Sequence, residues 1–294
     1  ICLIVSSSLA FRSSSFIVSK IFAVSPNESA SVSLFDTVNN YCGSNYSVAV
    51  NSATSALHIA CLSLGLQKDD FLWTSPISFV ASANCALYCG ASVDFVDICP
   101  NTFNICPNKL EQKLIKAKKH NALPKIIIPV HLAGQSCDME KILILSKKYG
   151  FKIIEDASHS LGSSNKSNKI GSCKFSDITV FSFHPVKIIT TAEGGASLTN
   201  NKKIFEKMQS LRQHGVVKEL GQFKNKPHGG WYYEQQDLGF NYRMTDIHAA
   251  LGISQLKKLK SFIIKRHEIA KRYDKALKNF KVLRPLYDRN SSYH

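Results

Sequence analysis

The sequence predicts an α/β protein, a mostly parallel sheet with flanking helices, followed by a small C-terminal domain that begins but does not complete. Three observations carry this. From about residue 46, short β-branched runs alternate with amphipathic stretches, the order left by parallel strands joined through helices. After a Gly- and Tyr-rich stretch at 227–242 the strands disappear and two long helical patterns follow. Finally, 294 residues with 44% hydrophobic and 20% charged side chains describe a globular chain and exclude disorder or a collagen-like repeat. That length supports one full domain and part of a second.

In chain order, the first strand is 47–50, an apolar run that stops at Asn51 and a cluster of small hydroxyl residues; a helix follows over 55–64. Strand 71–74 leads to helix 80–88, and strand 92–96 to the Lys-rich amphipathic helix 108–119. The β-branched run 125–130 is the next strand, with helix 138–148 behind it. Strands 152–154, 178–183 and 195–199 complete the sheet, and helix 202–212 precedes the loop. The closing helical patterns cover 245–259 and 262–280. The domain division is therefore an atypical segment 1–45, a large sheet domain 46–244, and the start of a small domain at 245–294.

The net charge of +16 is uneven: 1–50 is neutral and contains thirteen serines, 51–200 carries +4, and 201–294 carries +12. A basic last third fits either a polyanion partner or a Lys-rich solvated helical surface. The second reading is favoured, because the lysines lie on ordinary amphipathic helices and no nucleic-acid motif accompanies them. Nine cysteines at irregular spacing, without a Cys-x-x-Cys pair, read as small buried hydrophobes in a reducing cytoplasm rather than as disulfides or a zinc set. No run is long and apolar enough to span a membrane. The first residue is Ile1 and the last residues, Ser291 to His294, contain no helix stop, so a fragment at both ends is expected.

Three segments carry chemistry. In Asn51-Ser52-Ala53-Thr54-Ser55 a strand gives way to a helix start, where free N–H groups bind phosphate; Ser and Thr there are also ordinary N-caps. In Ile153-Ile154-Glu155-Asp156-Ala157-Ser158-His159 an apolar strand delivers an acid at its C-terminal end, where α/β sheets place ligands; such an acid also serves simply to cap a loop. In Ser182-Phe183-His184-Pro185-Val186-Lys187 a single Lys follows an apolar strand. Desolvation moves such an amine toward the neutral form that attacks carbonyls, while a snorkelling Lys is the plain alternative. Together, an anion-binding helix start, an acid and a half-buried Lys are what pyridoxal phosphate requires: an anchor, a partner for the ring nitrogen and a Schiff-base amine.

These segments, with 74–84, Pro129-Val130-His131-Leu132-Ala133-Gly134, Arg212-Gln213-His214-Gly215 and 238–252, resemble the DegT/DnrJ/EryC1/StrS sugar aminotransferases. The match runs in order from about Tyr46 to the end. The resemblance implies a fold type I pyridoxal-phosphate transferase in which 46–244 is the cofactor-binding domain. It implies Lys187 as the covalent anchor and then the proton carrier, and Asp156 as the partner of the pyridine nitrogen. It places His159 near the phenolic oxygen and Phe79 against the ring, although core packing is the alternative for Phe79 alone. Thr54, Ser55 and Ser182 would hold the phosphate, Ala53 would leave room for substrate, and Asn241 would reach the phosphate of a neighbouring subunit in a homodimer. His184 stays outside this set, as a residue that shapes the turn before Lys187.

Residues 51–57, 78–80 and the Phe-His-Pro-Val-Lys run look most like the branch of the family that serves pseudaminic-acid synthesis. The implied substrates are glutamate and a UDP-linked 4-keto-6-deoxy-N-acetylhexosamine aminated at C4, with another 4-keto or 3-keto nucleotide sugar as the variant. Retention of Lys187 argues against the family's dehydratases. Two departures, the Ser-rich 1–45 and an end well before the family's usual terminus, define the competing expectation: a truncated relic that binds cofactor without turnover.

Overall fold

The computed structural model describes residues 29–218, 221–286 and 288–294; within the segment 1–45 expected to be atypical, 1–28 lie outside the described residues. From Ala30 the chain is already part of the core. Helix α1 (Ala30–Cys42) starts on the N-cap Ser29 and ends on Gly43 in the left-handed conformation, burying Leu34, Phe35 and Val38 along one face.

The sheet has seven strands in the order β1-β9-β8-β5-β4-β2-β3: β1 (Tyr46–Val50), β2 (Phe71–Thr74), β3 (Ser92–Phe95), β4 (Ile126–Ile128), β5 (Lys152–Asp156), β8 (Ile178–Ser182) and β9 (Gly195–Thr199). All the strands from β8 to β3 pair in parallel. β9 runs antiparallel to both β8 and β1, so the sheet is mixed at one side. Two-residue ladders β6 (Ser164–Asn165) with β7 (Asn168–Lys169), and β10 (Val216–Val217) with β11 (Glu234–Gln235), complete the strands.

Helices α2 (Ala53–Ser63), α3 (Ala81–Tyr88), α4 (Pro107–Lys119), α5 (Met139–Tyr149) and α6 (Lys202–Arg212) flank the sheet. α2 begins two residues before its apolar pattern because Ser52 caps it, its hydroxyl accepting from Ser55 N–H at 3.1 Å. β4 is shorter than its apolar run because Pro129 has no N–H to give to the ladder. One core lies where α2, α3 and α6 cover the sheet, a second where α4 and α5 cover β2, β4 and β5.

The third core joins α1, β9 and helix α7 (Asp246–Leu256), with α8 (Leu259–Ala276) following after a two-residue break. Ser29 Oγ donates to Asp246 Oδ1 at 2.7 Å and Ser31 N–H to the same oxygen at 3.1 Å. Gly252 lets α7 approach α1 closely: a Cβ there would fall 2.8 Å from a Leu34 methyl. Residues 246–256, expected to open a second domain, are thus packed against the first described helix. Among the described residues no helix is long and apolar enough to cross a membrane.

Leu34 is fully buried and Val32, on the same helix, is 49% exposed. Leu34→Ala is expected to cost about 2–5 kcal/mol and Val32→Ala less than about 0.5 kcal/mol. Urea unfolding midpoints of the two variants check this; equal midpoints would show that the segment from residue 30 does not belong to the core.

Candidate active site

The C-terminal ends of the parallel strands converge on one cavity. β5 ends at Asp156 and β8 at Ser182, while β1 passes through Asn51 and Ser52 into α2. The antiparallel β9 starts there, its Gly195 opposite Val50 on one side and Ser182 on the other. The cavity, about 340 Å³, is lined by Ala53, Thr54, Phe79, Asp156, His159, Ser182 and Lys187, seven of the nine residues the sequence singles out. Phe79 is 71% exposed, so it forms a wall of the opening and is not a core residue.

Ser55 and Asn241 lie elsewhere. The Ser55 hydroxyl donates to Asn51 Oδ1 at 2.7 Å and its N–H is taken by Ser52 Oγ; both donors expected to hold an anion are spent inside the cap. The amides of Ala53 and Thr54, as the first of the helix, have no intrahelical acceptor. Asn241 pairs with Gln213 and lines a separate recess with Arg212, Arg243 and Met244.

Lys187 follows β8 in a tight turn, its N–H donating to the carbonyl of His184 at 2.9 Å. Burial lowers its pKa, and the nearby Asp156 carboxylate partly restores it. Asp156 is 5% exposed. Its Oδ2 accepts the Ser82 hydroxyl at 2.6 Å and its Oδ1 the Ser158 N–H at 3.1 Å. Next along β5, Glu155 points to the other side, where its carboxylate accepts from His131 Nε2 at 2.8 Å and from the hydroxyls of Ser176 and Thr179. His131 Nδ1 accepts the Cys137 N–H at 3.2 Å, so Nε2 carries the hydrogen that Glu155 accepts.

His159 stacks on His294 with ring centroids 4.0 Å apart and 17° between the planes. His159 Nδ1 and His294 Nε2 are buried without a hydrogen-bond partner. Burial and the Lys187 charge hold His159 at about 4; burial, His159 and Lys187 hold His294 at about 3.

Ser52, Ser78, Ser158, His184 and Glu193 also line the cavity. None of these, nor Ser82, is placed in the site by the sequence, although Ser52, Ser158 and His184 stand in the segments that carry it. Among the described residues no group of three or more His, Cys, Asp or Glu side chains is arranged to hold a metal ion.

Two properties make these residues fit pyridoxal phosphate. At one end, the start of α2, whose first amides have no intrahelical acceptor, and Ser182 line the same space, and Gly195 permits this approach, since a Cβ there would stand 2.6 Å from Ala53 N. At the other end, a half-buried amine and an ionisable carboxyl face the same space.

Comparison with known proteins agrees with this geometry. Residues 30–294 match the DegT/DnrJ/EryC1/StrS aminotransferase family. The chain is 45% identical over 235 residues to UDP-4-amino-4,6-dideoxy-N-acetyl-beta-L-altrosamine transaminase of Campylobacter jejuni, a match that covers 80% of this chain and 58% of that protein. Among solved structures it resembles Helicobacter pylori PseC, an aminotransferase involved in the biosynthesis of pseudaminic acid. The TM-score is 0.80 at 34% identity, over 95% of this chain and 73% of PseC. It also resembles Bacillus subtilis NtdA, solved with the cofactor PMP bound, with a TM-score of 0.78 at 27% identity over 99% of this chain and 63% of NtdA.

Two predictions follow from the electrostatics. Because His159 and His294 titrate at about 4 and about 3 instead of 6.5, the unfolded chain binds more protons below pH 6.5. Their contribution to stability is complete above that pH and is lost as the pH falls through 4. Urea midpoints are expected to drop across this window, and His159→Gln, which cannot titrate there, to drop less. The lowered pKa of Lys187 predicts that its peptide is acylated by an amine reagent at lower pH than peptides with exposed lysines. Asp156→Asn, which removes the charge that restores the pKa, is expected to move that midpoint lower still.

Proposed function

The chain belongs to the DegT/DnrJ/EryC1/StrS aminotransferase family, and from that premise we propose that it is a pyridoxal 5'-phosphate-dependent aminotransferase. In this reading it moves an amino group from glutamate to C4 of a UDP-linked 4-keto-6-deoxy-N-acetylhexosamine, in the biosynthesis of pseudaminic acid or a related surface sugar. The carrying observation is that Lys187 and Asp156 face one cavity whose rim is the start of α2. The choice of substrate is supported by the Campylobacter jejuni transaminase, 45% identical over the matched stretch.

When bound, the cofactor supplies an electron sink for charge developing on the substrate carbon. Lys187 Nζ would be the cofactor's covalent anchor, and its lowered pKa raises the fraction of neutral amine, which is the nucleophilic form. As a free amine the same nitrogen would serve as the general base that holds and returns a proton at the substrate carbon. Asp156, with both oxygens already fixed by Ser82 and Ser158, keeps a negative charge beside the ring nitrogen. The Ala53 and Thr54 amides, with the Ser182 hydroxyl, would hold the phosphate. Phe79 offers an exposed flat face to the ring. His159, kept neutral by burial, offers the phenolic oxygen a ring nitrogen without adding a cation next to Lys187.

The location of Asn241 outside this cavity supports a homodimer in which it completes the partner's site. The free cysteines support a reducing, cytoplasmic setting.

Borohydride reduction in the presence of pyridoxal 5'-phosphate is expected to fix the label on the peptide containing Lys187; label on any other peptide defeats the assignment. Transfer of nitrogen-15 from glutamate to the 4-keto sugar nucleotide is expected for the active enzyme, with a loss of at least about a hundredfold in Lys187→Ala. Labelling without transfer identifies instead the cofactor-binding chain that lacks turnover.

A further inference from the structure

Ser82 is not among the residues with an assigned role, yet it makes the shortest hydrogen bond to Asp156. It sits in the first turn of α3 and has no exposed surface. Its hydroxyl reaches Asp156 Oδ2 at 2.6 Å, and the Ser78 hydroxyl lies 3.2 Å from it on the cavity side. A carboxylate can only accept, so the single Ser82 proton points at Asp156, and Ser82 in turn accepts from Ser78. The three groups form a chain polarised in one direction, from the cavity wall to the carboxylate. Ser82 N–H also donates to the Phe79 carbonyl at 3.3 Å, so one residue links the exposed aromatic wall to the buried acid.

The consequence is geometric as well as electrostatic. Ser158 N–H fixes Oδ1 and Ser82 fixes Oδ2; with one donor on each oxygen the carboxylate plane cannot rotate without breaking a charge-assisted bond. The carboxylate so fixed lines the cavity. We propose that Ser82 is a positioning residue for the reaction: its hydroxyl, oriented by Ser78, locks the Asp156 carboxylate in the rotamer that presents an ionised oxygen to the ring nitrogen of the cofactor. The proposal rests on the aminotransferase reading given above.

The test compares Ser82→Thr with Ser82→Val in the whole chain. The two side chains have the same shape and bulk, so any cost of fitting them into a buried position is shared, and only Thr keeps the hydroxyl. Two quantities are measured: the dissociation constant of pyridoxal 5'-phosphate, from fluorescence titration, and the pH midpoint of the absorbance change of the bound cofactor. Ser82→Thr is expected to match the wild type in both. Ser82→Val is expected to bind the cofactor at least about tenfold more weakly and to displace the pH midpoint by about half a unit or more. Ser78→Ala, which leaves Ser82 in place but removes its orienting donor, is expected to move the midpoint in the same direction by less.

Equal midpoints and affinities in the Thr and Val variants would overturn the role of Ser82, whatever their stability. A wild-type chain that binds no cofactor would overturn the aminotransferase reading itself, so the two failures are distinct. If Ser82→Val does not fold while Ser82→Thr does, an unchanged midpoint in Ser78→Ala overturns the polarised chain.

Discussion

The close approach of β9 to the first turn of α2 is the constraint on which the site depends. Gly195 lies between Val50 and Ser182 in the sheet, and any side chain there would strike the backbone of Ser52 and Ala53 at 2.6 Å. Three chain segments therefore meet with only backbone between them. That meeting aims the first amides of α2 at the end of β8, and it requires β9 to run antiparallel, because the chain must turn back immediately after Lys187. The turn is closed by Phe183 N–H to the Gly194 carbonyl at 2.9 Å, by Thr191 N–H to the Phe183 carbonyl at 2.9 Å, and by the Thr190 hydroxyl to that same carbonyl at 3.0 Å. This closed loop, together with Arg266, which donates to the Lys187 carbonyl, fixes the backbone that carries Lys187.

A second constraint stands behind Asp156. Successive residues of a strand face opposite sides of a sheet, so Glu155 and Asp156 at the end of β5 send adjacent carboxylates in opposite directions. Both are almost wholly buried, an arrangement that is costly unless each oxygen finds donors. Glu155 finds His131, Ser176 and Thr179; Asp156 finds Ser82 and Ser158. The satisfied network around Glu155 joins the β4–β5 loop to β8, and it fixes the position from which Asp156 departs.

Much of this was legible in the sequence. The apolar runs gave each main strand to within a few residues; β4, β8 and β9, buried on both faces, are marked by their composition alone. Lys187 and Asp156 were visible because an ionisable residue at the end of an apolar run is conspicuous. What escaped reading has physical causes. Helix α1 lay in a nearly uncharged Ser-rich stretch, where Asp36 alone gives the exposed side a charge to contrast with the apolar face of Leu34, Phe35 and Val38. The antiparallel direction of β9 leaves no trace in composition. Ser55 looked like an anion ligand because a hydroxyl at a helix start can serve the ligand or the cap, and only the Asn51 side chain, four residues earlier, decides for the cap. Ser82 was hidden because a buried serine has no periodic signature; its meaning lies in a partner 74 residues away.

The basic excess of the last third acquires a location in the structure. The cavity itself is nearly balanced, with Lys187 set against Asp156 and Glu193. Five cations of residues 201–294 line the neighbouring openings: Lys265 and Arg266 the adjoining groove, and Arg212, Lys218 and Arg243 the recess that contains Asn241. Arg266 donates to the carbonyls of Lys187 and Tyr293, and Arg212 to that of Ala49 at 3.1 Å; these are neutral acceptors that leave the positive charge uncompensated. At physiological salt such charges act over about 8–10 Å, far enough to cover both openings but not the whole surface. Their effect is then on encounter, raising the local concentration of any anionic ligand. Discrimination between one ligand and another is left to the short contacts inside the cavity, where Asp156, Ser182 and the α2 amides have fixed positions.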